Sequence, residues 1–342
     1  MAQRDFSQIG VIGAGAWGTA LADHLAKKGF GVDLWVREEE VYRQIRDERV
    51  NRAFLPGVTL APGLHPVRSH RDAASAKDLV VMVVPSHVFR EVLQQLFPHV
   101  EQGTALLSAT KGIENETLLT MSQIVEAALL EKWPEAESVA CLSGPSFARE
   151  VSRGNPTAVT IACRDVELGM RLQHLFSSEI FRAYLTDDLM GVELCGALKN
   201  VVALAAGIAD GLEVGHNTRA ALITRGLAEM TRLGVALGAR PATFAGLAGM
   251  GDLVLTCTGD LSRNRTVGLE IGKGKRLPEI LSGMSTVAEG VKTTRSAYHL
   301  ARKTGVDMPI VEQVYRVLYE NKDPREALRG LMTRDLKREP EY

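Results

Sequence analysis

The stretch VIGAGAWGTALADHLAKKG, residues 11–29, decides how this chain begins to fold. Its first residues complete the run QIGVIG (8–13), apolar enough to read as a buried strand. Gly13, Gly15 and Gly18 then stand in a G-x-G-x-x-G spacing, and a helical pattern follows. The bare spacing says little in a chain with 32 glycines. A strand before it and a helix after it give it meaning. Gly13 allows the tight turn, and Gly15 lets backbone amides approach a pyrophosphate at the positive helix end. Gly18 lets helix and strand pack closely. A dinucleotide-binding turn is expected.

Working outward, VDLWV (32–36), DLVVMVV (78–84), TALLSA (104–109), VACLS (139–143) and TAVTIAC (157–163) read as further strands, with IFRAYL (180–185) another candidate. Helical patterns lie between them, such as SHVFREVLQQLF with Ser86 as its N-cap. This alternation predicts a doubly wound α/β sheet. After about residue 188 the pattern changes. Residues 191–211, 218–238, 286–305 and 309–320 read as helices broken by glycine-rich loops. The expected organisation is a dinucleotide-binding domain over 1–188 and an all-helical substrate domain over 189–342, with a boundary near Asp187 and Asp188. The charged tail TRDLKREPEY is expected to fray.

The totals narrow the function. A length of 342 residues suits two domains, and 45% hydrophobic with 24% charged residues is an ordinary globular composition. A formal net charge of −1 supplies no field for nucleic acid or an anionic membrane. Cys141, Cys163, Cys195 and Cys257 lie far apart, so neither a disulfide framework nor a metal site is expected. The N-terminus passes straight into a strand, leaving no room for a signal peptide. No uninterrupted apolar stretch of bilayer-spanning length is expected either. A cytoplasmic protein fits, and a homodimer is allowed.

In such a fold the end of the second strand reads the adenosine ribose. Arg37 follows that end, whereas Asp33 comes early in the strand. A guanidinium there pairs with a 2′-phosphate, so NADP(H) is favoured and NAD(H) stays open, with Glu38 and Glu39 softening the preference. Lys111 in SATKGIE and Gly144 with Ser146 in SGPSFARE stand at other strand ends, suited to an anion or a carbonyl group.

In the second half, GVELCGALKNVVALAAG (191–207) places Lys199 and Asn200 in an otherwise small, apolar helix. Residues three and four away, Cys195, Gly196, Val202 and Ala203, cannot pair with an ammonium. Lys199 either snorkels to water or is buried for a reason. Further on, Gly246, Gly249 and Gly251 mark a loop of unusual φ/ψ or close approach ahead of Asp252. Ser262-Arg263-Asn264 then opens a helix, with Ser262 the candidate N-cap. A helix start with a guanidinium suits a phosphate.

The words GAGAWGTALA, LSGPSFAREV, GVELCGALKNV, NTRAALITRGLAEM, GLAGMGDLVLTC and SRNR resemble the bacterial NAD(P)-dependent sn-glycerol-3-phosphate dehydrogenases, from the first strand to about residue 330. The resemblance implies a Rossmann domain followed by an all-α domain. It also implies reversible hydride transfer between NAD(P)H and dihydroxyacetone phosphate, giving sn-glycerol 3-phosphate for phospholipid synthesis. By motif position it assigns Ala16, Trp17, Arg37, Lys111, Ala148, Arg263, Val287 and Glu289 to the cofactor. Lys111, Gly144, Ser146, Lys199, Asp252, Ser262, Arg263 and Asn264 fall to the substrate, and Lys199 becomes the proton acceptor. Ala16 stands where relatives often carry serine. In the chemistry this implies, burial lowers the Lys199 pKa, Asp252 orients it, and Lys111 and Asn200 hold or polarise the carbonyl oxygen. A β-hydroxyacid or 6-phosphogluconate-type dehydrogenase is the nearest rival enzyme, and a non-catalytic NAD(P)-binding sensor the rival outside enzymes.

Overall fold

The structure, a computed structural model, describes residues 6–133, 139–284, 288–336 and 338–339. The chain forms two compact units, Met1–Thr110 with Met121–Leu189, and Lys111–Thr120 with Met190–Tyr342. The segment Lys111–Thr120 thus groups with the second half, although the single break expected at 188 put it in the first. The ion pair between Lys111 and Asp252 is one tie that holds it there.

The first unit is built on one sheet of eight strands: β1 (Gln8–Ile12), β2 (Gly31–Trp35), β3 (Leu64–Val67), β4 (Leu79–Met82), β5 (Ala105–Ser108), β6 (Val139–Ser143), β7 (Thr157–Cys163) and β8 (Phe181–Thr186). Their order is β3-β2-β1-β4-β5-β6-β7-β8. Every pairing is parallel except β6 with β7. Helix-covered parallel strands must be apolar on both faces, and β4 and β5 are buried at every position. The sequence reading lacked β3. LHPV is short, and Pro66 argues against a strand. An edge strand tolerates proline because one of its sides needs no ladder donor. Ser86 does not cap an α-helix as expected. It opens a 3₁₀ turn, Ser86–Val88, and the α-helix begins only at Phe89.

The second unit is helical. Apart from an isolated bridge between Ile113 and Thr120, no strand occurs among its described residues. Its central helix, Leu189–Gly211, is long and apolar enough to cross a bilayer by length and composition, although Glu193, Lys199 and Asn200 interrupt the apolar run as the sequence has it. That apolar stretch is wholly buried inside the protein. Its glycines explain part of the packing. A Cβ on Gly207 would stand 2.1 Å from the Arg265 carbonyl oxygen of the helix Arg263–Gly272. A Cβ on Gly268 would stand 2.2 Å from the Leu204 oxygen. Larger side chains at these positions would force the two helices apart, and with them the Lys199-Asn200 and Ser262-Arg263-Asn264 segments.

Candidate active site

Among the candidate residues of the first unit, the turn after β1 comes first in the chain. Gly13 has φ +115°, and a Cβ there would meet the Val83 carbonyl oxygen at 2.7 Å. A Cβ on Gly18 would stand 1.9 Å from the Gly13 oxygen, so helix and strand approach only because this residue is glycine. Around Gly15 the position a Cβ would take is open. Gly15 N-caps the helix Ala16–Lys27 without a side-chain cap, and Ala16 starts that helix. The Trp17 indole N–H is buried without a hydrogen-bond partner. A free helix start, an open approach at Gly15 and an orphaned indole donor fit a dinucleotide.

Arg37 stands beyond the end of β2 with its side chain 74% exposed. Its Nε and Nη2 donate to Glu38 Oε1 at 3.0 and 2.9 Å. Asp33 is engaged by Lys77. Arg68, just past the unforeseen β3, donates to the carbonyls of Val36 and Arg37 at 3.0 and 2.5 Å and fixes the backbone there. With β3 hidden in the sequence, nothing signalled Arg68. Gly144 has φ +139°, and its carbonyl accepts from Ser146 Oγ at 2.9 Å. Ala148 opens the short helix Ala148–Ser152.

In the second unit Lys199 does not snorkel; it is 6% exposed. Its partner comes from another helix, Asp252–Thr258. Nζ donates to Asp252 Oδ1 at 2.5 Å and to Thr256 Oγ1 at 2.9 Å, and Thr256 in turn donates to the Asp252 carbonyl at 2.6 Å. Lys111 Nζ reaches the other carboxylate oxygen at 2.7 Å. Asp252, 1% exposed, therefore lies between two ammonium groups. Burial alone would push its carboxyl up, but Lys111 and Lys199 outweigh burial and hold it below its ordinary value. Burial lowers the Lys199 ammonium to about 8, against the opposing pull of Asp252. Two lysines and one carboxylate leave the cluster one net positive charge, suited to a forming oxyanion.

Thr256, one turn after Asp252 on the same helix, is the partner of Lys199 to which the sequence reading gave no role. In the loop before Asp252, Gly249 is required by close approach rather than unusual φ. A Cβ on Gly249 would sit 2.1 Å from the Phe244 oxygen, and none of Gly246, Gly249 and Gly251 has positive φ.

Asn200 spends part of its amide inside the protein. Oδ1 accepts from Asn264 Nδ2 at 2.8 Å, and Nδ2 donates to the Gly196 carbonyl at 3.2 Å. Asn264 Oδ1 accepts from the Gly290 N–H at 2.9 Å, which ties in the helix Glu289–Thr304. Ser262 caps the helix Arg263–Gly272 as expected, its side chain accepting from the Arg265 N–H. Arg263 is exposed and makes no hydrogen bond among the described residues; partial desolvation of its guanidinium lowers its pKa from the ordinary arginine value, against the opposing pull of the Glu289 carboxylate. Val287 lies outside the described residues.

The family model for the NAD-dependent glycerol-3-phosphate dehydrogenase N-terminus matches residues 8–169, and that for the C-terminus matches residues 188–329. A glycerol-3-phosphate dehydrogenase [NAD(P)+] of Geobacter sulfurreducens is 59% identical over 332 residues, 97% of this chain and 98% of the relative. One from Geobacter metallireducens is 60% identical over 333 residues with the same coverage. A crystal structure of glycerol-3-phosphate dehydrogenase from Coxiella burnetii is similar with a TM-score of 0.91 and 39% identity, covering 96% of this chain and 99% of that one.

Proposed function

We propose that this chain, which belongs to the NAD-dependent glycerol-3-phosphate dehydrogenase family, interconverts dihydroxyacetone phosphate and sn-glycerol 3-phosphate. The observation that carries the reading is the buried Lys199–Asp252–Lys111 cluster, linked through Asn200 and Asn264 to a capped helix start bearing an exposed arginine. In the ketone-reducing direction a hydride is added to the carbonyl carbon and a proton to its oxygen. The bound cofactor supplies the hydride, or accepts it in reverse. The remaining work falls to the protein.

Lys199, with its pKa lowered to about 8, gives the proton as an ammonium and can take it back as an amine. Asp252 and Thr256 aim Nζ, and Lys111 adds positive charge for the alkoxide. The second Asn200 amide hydrogen is available to the same oxygen. Ser262, Arg263 and the N–H groups of the helix start hold the phosphate, which fixes the reacting carbon. The family resemblance adds Gly144 and Ser146 to the substrate contacts, and assigns to the cofactor the turn after β1, Trp17, Arg37 and Ala148 of the first unit and Lys111, Arg263 and Glu289 of the second.

The physiological product is sn-glycerol 3-phosphate for phospholipid backbones. A cytoplasmic setting agrees with four buried free cysteines. The test is a spectrophotometric assay of dihydroxyacetone phosphate reduction with NADPH and with NADH. Turnover of a 3-hydroxyacid or of 6-phosphogluconate, with none of dihydroxyacetone phosphate, would overturn the reading.

A further inference from the structure

The phosphate-binding turn after β1 is held from outside by a residue that its own glycine spacing does not include. Asn51 is fully buried, 37 positions after Ala14 in sequence, and its Nδ2 donates to the Ala14 carbonyl at 2.9 Å. The same amide nitrogen donates to Thr19 Oγ1 at 2.9 Å, and Thr19 Oγ1 lies 3.2 Å from the same carbonyl as a donor. Asn51 Oδ1 accepts from the Phe54 N–H at 3.1 Å. Because a backbone N–H can only donate and a carbonyl can only accept, these partners fix which way the amide faces. Every member of the arrangement belongs to the first unit.

Peptide planarity turns this into a statement about ligand binding. In a trans peptide the C=O of one residue and the N–H of the next point in opposite directions. Holding the Ala14 oxygen inward, on Asn51 and Thr19, therefore aims the Gly15 N–H outward. That N–H meets no acceptor among the described residues, and the space around Gly15 is open. Were the peptide to rotate, the carbonyl would face the anion and the donor would be lost.

We propose that Asn51 is the positioning residue of the cofactor loop: it locks the Ala14–Gly15 peptide so that the Gly15 N–H is presented to the pyrophosphate of NADP(H) or NAD(H). This rests on the dinucleotide reading of the turn given above. Both cofactors carry the same pyrophosphate, so Asn51 governs affinity for the two alike and is indifferent to the 2′ position.

The test is a fluorescence titration of NADPH and NADH against the wild-type chain, Asn51→Ala and Asn51→Asp. It is combined with the KM for dihydroxyacetone phosphate at saturating cofactor. Asn51→Ala leaves the carbonyl unsatisfied and should weaken both cofactors by a similar factor, about ten- to a hundredfold. Asn51→Asp adds a carboxylate facing that carbonyl and should weaken them at least as much. The KM for dihydroxyacetone phosphate should move by less than about twofold, a split that general loosening of the fold would not give. Should Asn51→Ala fail to fold, Thr19→Val serves, with the same equal loss at smaller size. Unchanged cofactor affinity in a folded variant, a loss confined to NADPH, or a parallel rise in the ketone KM would overturn the inference. Wild-type chain that binds neither cofactor would instead overturn the dinucleotide reading itself.

Discussion

In the proposed function the glycine turn and the lysine cluster meet their ligands by opposite means. The turn offers backbone groups, and its side chains are kept small so that a ligand can come close; Gly15 stands open and Gly18 has no room for a Cβ. The cluster offers charged side chains, and it buries them: Asp252 and Lys199 are 1% and 6% exposed. A backbone donor needs only to be aimed. A buried charge must also be compensated, since an unpaired ammonium away from water is expensive. In the proposed mechanism that cost is what makes Lys199 useful, because burial brings the proton affinity of a lysine down to about 8. The turn should therefore control binding, and the cluster the chemical step.

The largest expected effect tests that division at the cluster. Lys199→Ala should lower kcat by at least ~10²–10⁴, the usual worth of a positioned acid or base, while cofactor affinity stays near wild type. Stopped assays alongside cofactor titration on the same sample would check it. A folded variant with near-normal kcat would remove Lys199 from the chemistry. Next in size, Arg263→Ala should raise the KM for dihydroxyacetone phosphate by about ten- to a hundredfold, the worth of a lost charged hydrogen bond. Inorganic phosphate or sulfate should compete with the substrate in the wild type, and an unchanged KM would place the phosphate elsewhere. The smallest effect belongs to the turn's side of the comparison. Arg37→Ala should narrow a preference for NADPH over NADH by about tenfold or less, because Glu38 already holds the guanidinium in an exposed pair. Added salt should erode the same preference in the wild type. Equal efficiency with both cofactors from the start would make Arg37 a surface residue only.

What could be read from the sequence followed how local each signal is. The turn after β1 was legible because its glycines, strand and helix are consecutive. The Ser262 cap was legible because a cap bonds the backbone a few positions away. The lysine cluster was half legible. Its helix showed that Lys199 had no partner at helical spacing, but Asp252, 53 positions on, was reached only through family motifs. Asn51 and Arg68 gave no signal, since each acts on a backbone carbonyl more than thirty positions away. β3 was hidden because an edge strand may be short, polar and carry proline. The same distance rule explains Lys111–Thr120, whose grouping with the second unit depends on contacts that no local pattern contains.

The pH dependence of dihydroxyacetone phosphate reduction tests most directly that a buried lysine is the proton donor. Lys199 must carry its proton for this direction, so kcat should be level at low pH and fall as pH rises through about 8. Oxidation of sn-glycerol 3-phosphate needs the free amine and should rise over the same range. Asp252 opposes the lowering of the Lys199 pKa, so in Asp252→Asn, whatever activity remains should have its inflection at lower pH. Wild-type reduction that stays level through this range, or an inflection that Asp252→Asn leaves in place, would contradict the assignment of Lys199 as the acid.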